Sequence, residues 1–326
     1  MLRPLSSCLI GRLIPPSIAI VLSTGLAGAT QDPSTCPPEA RPPSPAQIAN
    51  GIRTARDRGF LWRLGKGDRT SYLYGTVHVG KPEWMFPGPE VLAALRSTTV
   101  VPLELDISDP DLVGRLQQGM ARRPDHALSK TLNARLRAQL QEACLPEQML
   151  ATTAPEMVAT TLTMLSARWA GLDPAYAVDA MYAGMARELK KPVTSLETPE
   201  LQLKLLLGST PEETRAAVES ALEDLESGAA APLMTRMAQI WADGHLGQLE
   251  SYQTWCQCLE TEADRVTMRR LLDDRNPGLA DRIDSLHASG QPVFAAVGSL
   301  HMVGRAGLPA LLAERGYKVE RVNFLP

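Results

Sequence analysis

The chain has 326 residues, 33 lysines and arginines against 36 aspartates and glutamates, a net charge of −3, and 44% apolar residues. That is enough sequence for one large domain, or two small ones, with a true hydrophobic core. No basic block stands out, which argues against a nucleic-acid partner, and no one-sided charge field argues for a membrane surface.

The first 29 residues read as a secretory signal peptide. Arg3 and Arg12 form a basic lead, Ile18 to Leu22 an apolar run, and Ala27-Gly28-Ala29 a small-x-small cleavage site. The run is too short and interrupted for a membrane span, so no stable span is expected once the signal is removed. An exported chain, periplasmic or extracellular, follows. Residues 30–45 are proline-rich and read as an extended, poorly ordered leader, so the folded domain is expected over 46–326.

Four cysteines lie beyond the signal segment: Cys36, Cys144, Cys256 and Cys258. An even number in an exported chain points to disulfides. A bond between Cys256 and Cys258 closes a very small ring, so each is expected to pair with one of Cys36 and Cys144. A Cys-x-Cys metal site is the alternative reading.

A polar helix is predicted from Ala46, then a strand at Phe60–Leu64 and a hairpin turn at Gly65-Lys66-Gly67-Asp68 into a second strand that ends near His78. A loop rich in proline and glycine leads to a short helix at Val91–Leu95 and a β-branched strand at Thr99–Leu105. Strand, helix, strand is a βαβ unit and implies parallel pairing. Helical periodicity dominates from Asp109 onwards, broken by a short strand at Pro192–Glu197, and continues to about residue 290. Its methionines read as core filler. The chain closes with a strand at Val293–Val297, a helix near Leu308 and a strand at Tyr317–Val322. The expected fold is α/β: two βαβ-type halves forming a mixed sheet core, with a large helical insertion over about 109–290.

Two tetrapeptides repeat one plan. Gly75-Thr76-Val77-His78 and Gly298-Ser299-Leu300-His301 each follow a buried strand, which places His78 and His301 at the rim of a sheet, where α/β folds keep ligands. The glycine permits close backbone approach, and histidine serves as metal ligand or acid–base group. Glu104 ends an apolar strand beside them, with Asp106 one alternation further. Two histidines and a carboxylate form a plausible ligand set for a divalent ion. Glu197 ends the next short strand and Asp179 lies on the preceding helix; either could act as general base or orient a histidine. Arg275-Asn276 could bind an anionic intermediate or cap a helix. His126, His245 and His287 read as solvated surface residues. The zinc-protease, serine-hydrolase, Walker and dinucleotide motifs are all missing.

Tyr72 to His78, the Glu104 strand, Val178-Asp179, Lys191-Pro192-Val193, Leu196-Glu197-Thr198, Arg275-Asn276, Val293 to His301, Gly304 and Gly307-Leu308 together resemble the TraB/GumN family. That family is related to the Tiki metalloproteases and, more distantly, to erythromycin esterase-like proteins. The resemblance implies a two-half α/β fold and a site of His78, His301 and Glu104 holding a divalent metal, manganese or cobalt before zinc. It implies cleavage of a peptide or amide bond in a peptide or protein substrate. Gly244-His245 departs from the Gly-Asp expected there. Two other functions stay open: metal-free ester hydrolysis by histidine and glutamate, and a non-catalytic envelope protein binding a peptide, polysaccharide or partner.

Overall fold

The computed structural model describes residues 36–324 apart from Gln257 and Glu260. The expected signal peptide over residues 1–29 and the first residues of the expected leader lie outside the described residues.

Six strands form one sheet: β1 (Phe60–Lys66), β2 (Arg69–Thr76), β3 (Val101–Leu103), β4 (Val193–Ser195), β5 (Phe294–Gly298) and β6 (Lys318–Val322). Their order is β4-β3-β5-β2-β1-β6. β4, β3, β5 and β2 pair in parallel, while β1 is antiparallel to both β2 and β6. β1 alone therefore runs against the other five. Its reversal is the hairpin at Gly67-Asp68, where Gly67 supplies a φ of 64°. Both expected βαβ units are present and interleave. The first runs β2 to β3 through the helix Pro89–Ser97, and the second runs β5 to β6 through the helix Leu308–Glu314.

β5 is Phe-Ala-Ala-Val-Gly, buried throughout. A strand with no polar alternation needs cover on both faces, and a central parallel position provides it. Helix Val178–Glu188 packs on β3, β4 and β5, and Leu308–Glu314 packs on β6 and on helix Asn276–Ala288. Tyr74, Tyr182 and Phe294 meet ring to ring at 5.1–5.8 Å between centroids. The insertion carries its own smaller core, in which Leu132, Leu136 and Leu140 meet Val158, Leu162, Val218 and Leu222. No helix among the described residues is long and apolar enough to cross a membrane.

Three expectations need correction. The disulfides are Cys36–Cys144 and Cys256–Cys258, not the crossed pairs expected. With one intervening residue the Cα atoms of Cys256 and Cys258 still lie 5.0 Å apart, within ordinary disulfide range, so the small ring is no bar. The leader residues 36–44 lack regular secondary structure, yet they are tied down. Cys36 is bonded to Cys144 at the end of a helix, and the Arg41 backbone exchanges two hydrogen bonds with the Tyr176 hydroxyl, at 2.8 and 2.9 Å. Finally, His126 and His287 are buried, not solvated. His287 bonds Ser71 and the Lys66 carbonyl through its two ring nitrogens, and His126 bonds Thr214 through Nδ1, so each buried imidazole has a protein partner. His245 is exposed, as expected.

The Cys36–Cys144 bond closes a loop of 108 residues. Replacing both cysteines by serine is expected to lower unfolding stability by about 2–4 kcal/mol. Denaturant titration of the double variant checks this, and an unchanged midpoint would show that the Arg41–Tyr176 contact alone secures the leader.

Candidate active site

The C-terminal ends of β2, β3, β4 and β5 share one rim, and each delivers one of the expected residues to it. His78 lies two residues past β2, Glu104 one past β3, Glu197 two past β4, and His301 three past β5 in a tight turn over Ser299–Met302. This is the crevice outside the carboxyl ends of parallel strands, where the fold leaves backbone groups and side chains open to a ligand.

The two motif glycines have separate steric reasons. A Cβ on Gly75 would stand 2.9 Å from the Ser299 hydroxyl, which donates to the Thr76 carbonyl at 2.8 Å and so ties the two motifs together. A Cβ on Gly298 would stand 3.1 Å from Glu104 Oε1 and 3.6 Å from His78 Nε2. The missing side chain thus leaves a hollow bordered by that carboxylate and that imidazole, with His301 on its other side.

Arg275 is the hub. Its Nε and Nη2 donate to the two oxygens of Glu197 at 2.8 and 2.5 Å, and Nη2 also reaches Glu104 Oε2 at 2.5 Å. Nη1 donates to the Leu271 carbonyl at 2.9 Å and to His301 Nε2 at 3.1 Å. The second Glu104 oxygen accepts the Gly298 N–H at 2.8 Å. Asn276 donates its amide to the Ala306 carbonyl at 2.7 Å, which turns its oxygen to His301 Nδ1 at 2.5 Å. His301 therefore carries its proton on Nδ1 and offers a lone pair at Nε2. His78 is anchored likewise, Nδ1 to Asp179 Oδ2 at 3.2 Å, and its Nε2 borders the hollow.

These surroundings push the two imidazoles in opposite directions. Burial works against a charge on His78, but its side chain is 53% exposed, and Asp179, by charge and hydrogen bond, with help from Glu104, raises it to about 9. Burial holds His301 down at about 4, with Arg275 and His78 adding repulsion against the pull of Glu104 and Glu197. Burial also opposes ionisation of Glu104, yet His301, His78, Arg275 and the Gly298 N–H keep it at about 2. At neutral pH His301 is uncharged, so His78 and Arg275 supply that attraction. Arg275 itself is held protonated above its ordinary range: burial opposes the charge, and its bonds to Glu197 and Glu104 outweigh it.

All six expected site residues, His78, Glu104, Asp179, Glu197, Arg275 and His301, meet at this rim. Asp106 does not; its carboxylate turns away to Arg187 and Ser108. The residue that orients His301 is Asn276, which the sequence marked only as the neighbour of Arg275. The methionines expected as core filler are divided in role, because Met234, Met237 and Met268 line a cavity of about 400 Å³ that opens from the rim. The Cys256–Cys258 disulfide lines it too, and so does Thr76, whose buried hydroxyl has no partner among the described residues. Nothing in residue spacing marks that wall, since it forms only where two separate helices face one another in space.

Whether the donors suit a divalent ion is decided by Arg275. His301 Nε2 and one Glu104 oxygen, two thirds of the expected ligand set, already hold the guanidinium, and a dication beside it would meet a positive charge in a poorly screened site. Among the described residues no group of three histidine, cysteine or acidic side chains is arranged to hold a metal ion. As arranged, the guanidinium occupies the faces of His301 and Glu104 that a divalent ion would need.

Removing the guanidinium leaves Glu104 and Glu197 buried without their counter-charge. Arg275→Ala is expected to cost about 3–5 kcal/mol of stability, and Arg275→Lys less than that while failing to span both carboxylates. Thermal unfolding of the two variants checks the order.

The TraB/PrgY/gumN family model matches residues 60–321. The uncharacterized protein YbaP of Shigella flexneri is 26% identical over 250 residues, covering 76% of this chain and 89% of its own length. YbaP of Escherichia coli K12 matches at the same identity and coverage. No solved structure matches. The family match spans both histidine motifs, the acidic strand ends and Arg275, and the chain belongs to the TraB/PrgY/gumN family.

Proposed function

We propose that the protein is an exported hydrolase that cleaves an amide or peptide bond by acid–base catalysis at the rim of the sheet. The observation that carries this reading is the anchoring of the two imidazoles. Each is fixed at Nδ1, by Asp179 or Asn276, and Nε2 is the free face of His78 and the lone-pair face of His301. Neighbours that hold two titratable groups in opposite protonation states define an acid and a base. Protonated His78 is the acid, placed to give its Nε2 proton to the leaving nitrogen. Neutral His301 is the base, taking the proton of the attacking water. Arg275 Nη1 faces His301 Nε2 and is the donor for the negative charge that develops on the carbonyl oxygen. When that oxygen takes up Nη1, the lone pair of His301 is released to the water, and one source of its depressed basicity is offset. The signal-like N-terminus and the two disulfides support export.

A metal-dependent form of the same hydrolysis is the second reading. It is favoured by the Nδ1 anchors, the kind of outer partner that metal-bound histidines keep, and by the hollow beside Gly298. It requires Arg275 to release His301 and Glu104. Metal analysis of protein purified without chelator or affinity histidines separates the two. The acid–base reading expects no stoichiometric metal and turnover that persists in strong chelator.

With acyl p-nitroanilides as probes, His78→Ala and His301→Ala are each expected to reduce kcat/KM by about 10²–10⁴. Retention of full activity by either variant would sink the assignment, and absence of turnover in the wild type would leave a binding protein.

Activity needs His78 protonated and His301 neutral. It is therefore lost as pH rises through about 9 and as pH falls through about 4. Asp179→Asn removes the charge that raises His78, so the alkaline limb is expected to move down by roughly 1–3 pH units while the acid limb stays. A pH–rate profile of the variant checks this; a limb that does not move contradicts the role of His78 as acid.

A further inference from the structure

The cavity at the rim has two unlike ends. One end is the hollow of His78, Glu104, Arg275 and His301. The other is a wall of Leu233, Met234 and Met237 from helix Ala230–Ala242 facing Met268, Leu271 and Leu272 from the end of helix Glu262–Leu271, closed by Tyr252 and the Cys256–Cys258 disulfide. Among the described residues, apart from the four at the rim, no lysine, arginine, histidine or acidic side chain lines it. Five of the six wall side chains are only half-buried, so their apolar surface is still open to the cavity.

We infer that this wall is the substrate's acyl subsite, and that the substrate class is a neutral amide whose carbonyl carries a linear, medium-length aliphatic chain. The inference rests on the hydrolase reading for the word substrate, but the subsite itself stands on the cavity. Three observations select that occupant. The wall and the hollow belong to one cavity, so a chain attached to a carbonyl beside Gly298 has the wall within reach. A polar or charged substituent would lose water there with no partner to replace it. The cavity as a whole, hollow included, measures about 400 Å³, room for a chain of several methylenes rather than one methyl. Methionine, unbranched and polarizable, lets such a wall close around a linear chain without a fixed shape.

The test uses butanamide, hexanamide and octanamide as probes of the intact protein, with binding followed by NMR or calorimetry and turnover by ammonia release. Affinity is expected to rise roughly three- to fourfold per added methylene. Met237→Trp, which fills the wall without removing apolar character, is expected to flatten that rise between hexanamide and octanamide. Met234→Leu, nearly equal in volume, is expected to keep it and controls for misfolding. Affinity independent of chain length, or a rise unaffected by Met237→Trp, overturns the subsite. So does tighter binding of N-acetyl-leucinamide than of octanamide, which would assign the wall to a branched peptide side chain. A chain-length-dependent affinity with no ammonia released from any amide leaves the subsite intact and removes the hydrolase reading.

Discussion

The structure turns on one buried cation shared between two strand ends. Glu104 and Glu197 follow adjacent parallel strands, and their backbones continue the ladder, with the Glu197 N–H donating to the Glu104 carbonyl at 3.1 Å. Two carboxylates so close and so nearly dry cannot both ionise without compensation. The Arg275 guanidinium supplies it by facing both at once, a planar fork that an ammonium could not imitate. The next residue, Asn276, grips His301. One dipeptide at the start of a helix therefore fixes the tips of three strands, β3, β4 and β5.

Topology explains why that clamp is needed. β5 comes late in the chain yet enters the sheet between β3 and β2. About 90 residues separate β3 from β4 and about 190 separate β3 from β5, so neither pairing is aided by a short connection. β3 and β4 are only three residues each, which leaves few ladder bonds to hold them. Side-chain ties at the rim, Arg275 to the two glutamates and Ser299 to the Thr76 carbonyl, add fixed points where the ladders run out. The same ties rigidify the groups that chemistry would use.

Much of this was legible in the residues. A continuous apolar run such as Val293 to Val297 can only be a central strand, and a Gly-x-x-His after each such run puts the imidazole at the rim. Glu104 and Glu197 were readable because each ends a β-branched segment. What could not be read was relative depth and direction. Asp106 shares a strand context with Glu104, but the chain has left the ladder by then and its carboxylate finds Arg187 instead. Arg275 was visible as an anion-binding candidate, not as the partner of both glutamates, because that depends on where a helix start falls in space. The disulfides were misjudged for a related reason: spacing says how small a ring is, not how the backbone bends to close it. The buried histidines 126 and 287 found hydroxyls from distant segments, which no local pattern announces.

The polar hollow and the apolar wall also act on each other. The hollow with its buttresses Asp179 and Glu197 carries three carboxylates against the Arg275 guanidinium and a protonated His78 at neutral pH, an excess of one negative charge, so charge alone selects little from solution. Selection then falls to the wall. An aliphatic substituent seated there displaces water from the mouth of the hollow, and every charge beside it is less screened as a result. On the proposed reading, the Arg275 donor and the His78 proton would gain strength when a carbonyl is in place. A fully polar cavity would keep its water and lose that gain. On that reading the methionines would raise the electrostatic power of residues deeper in the same cavity.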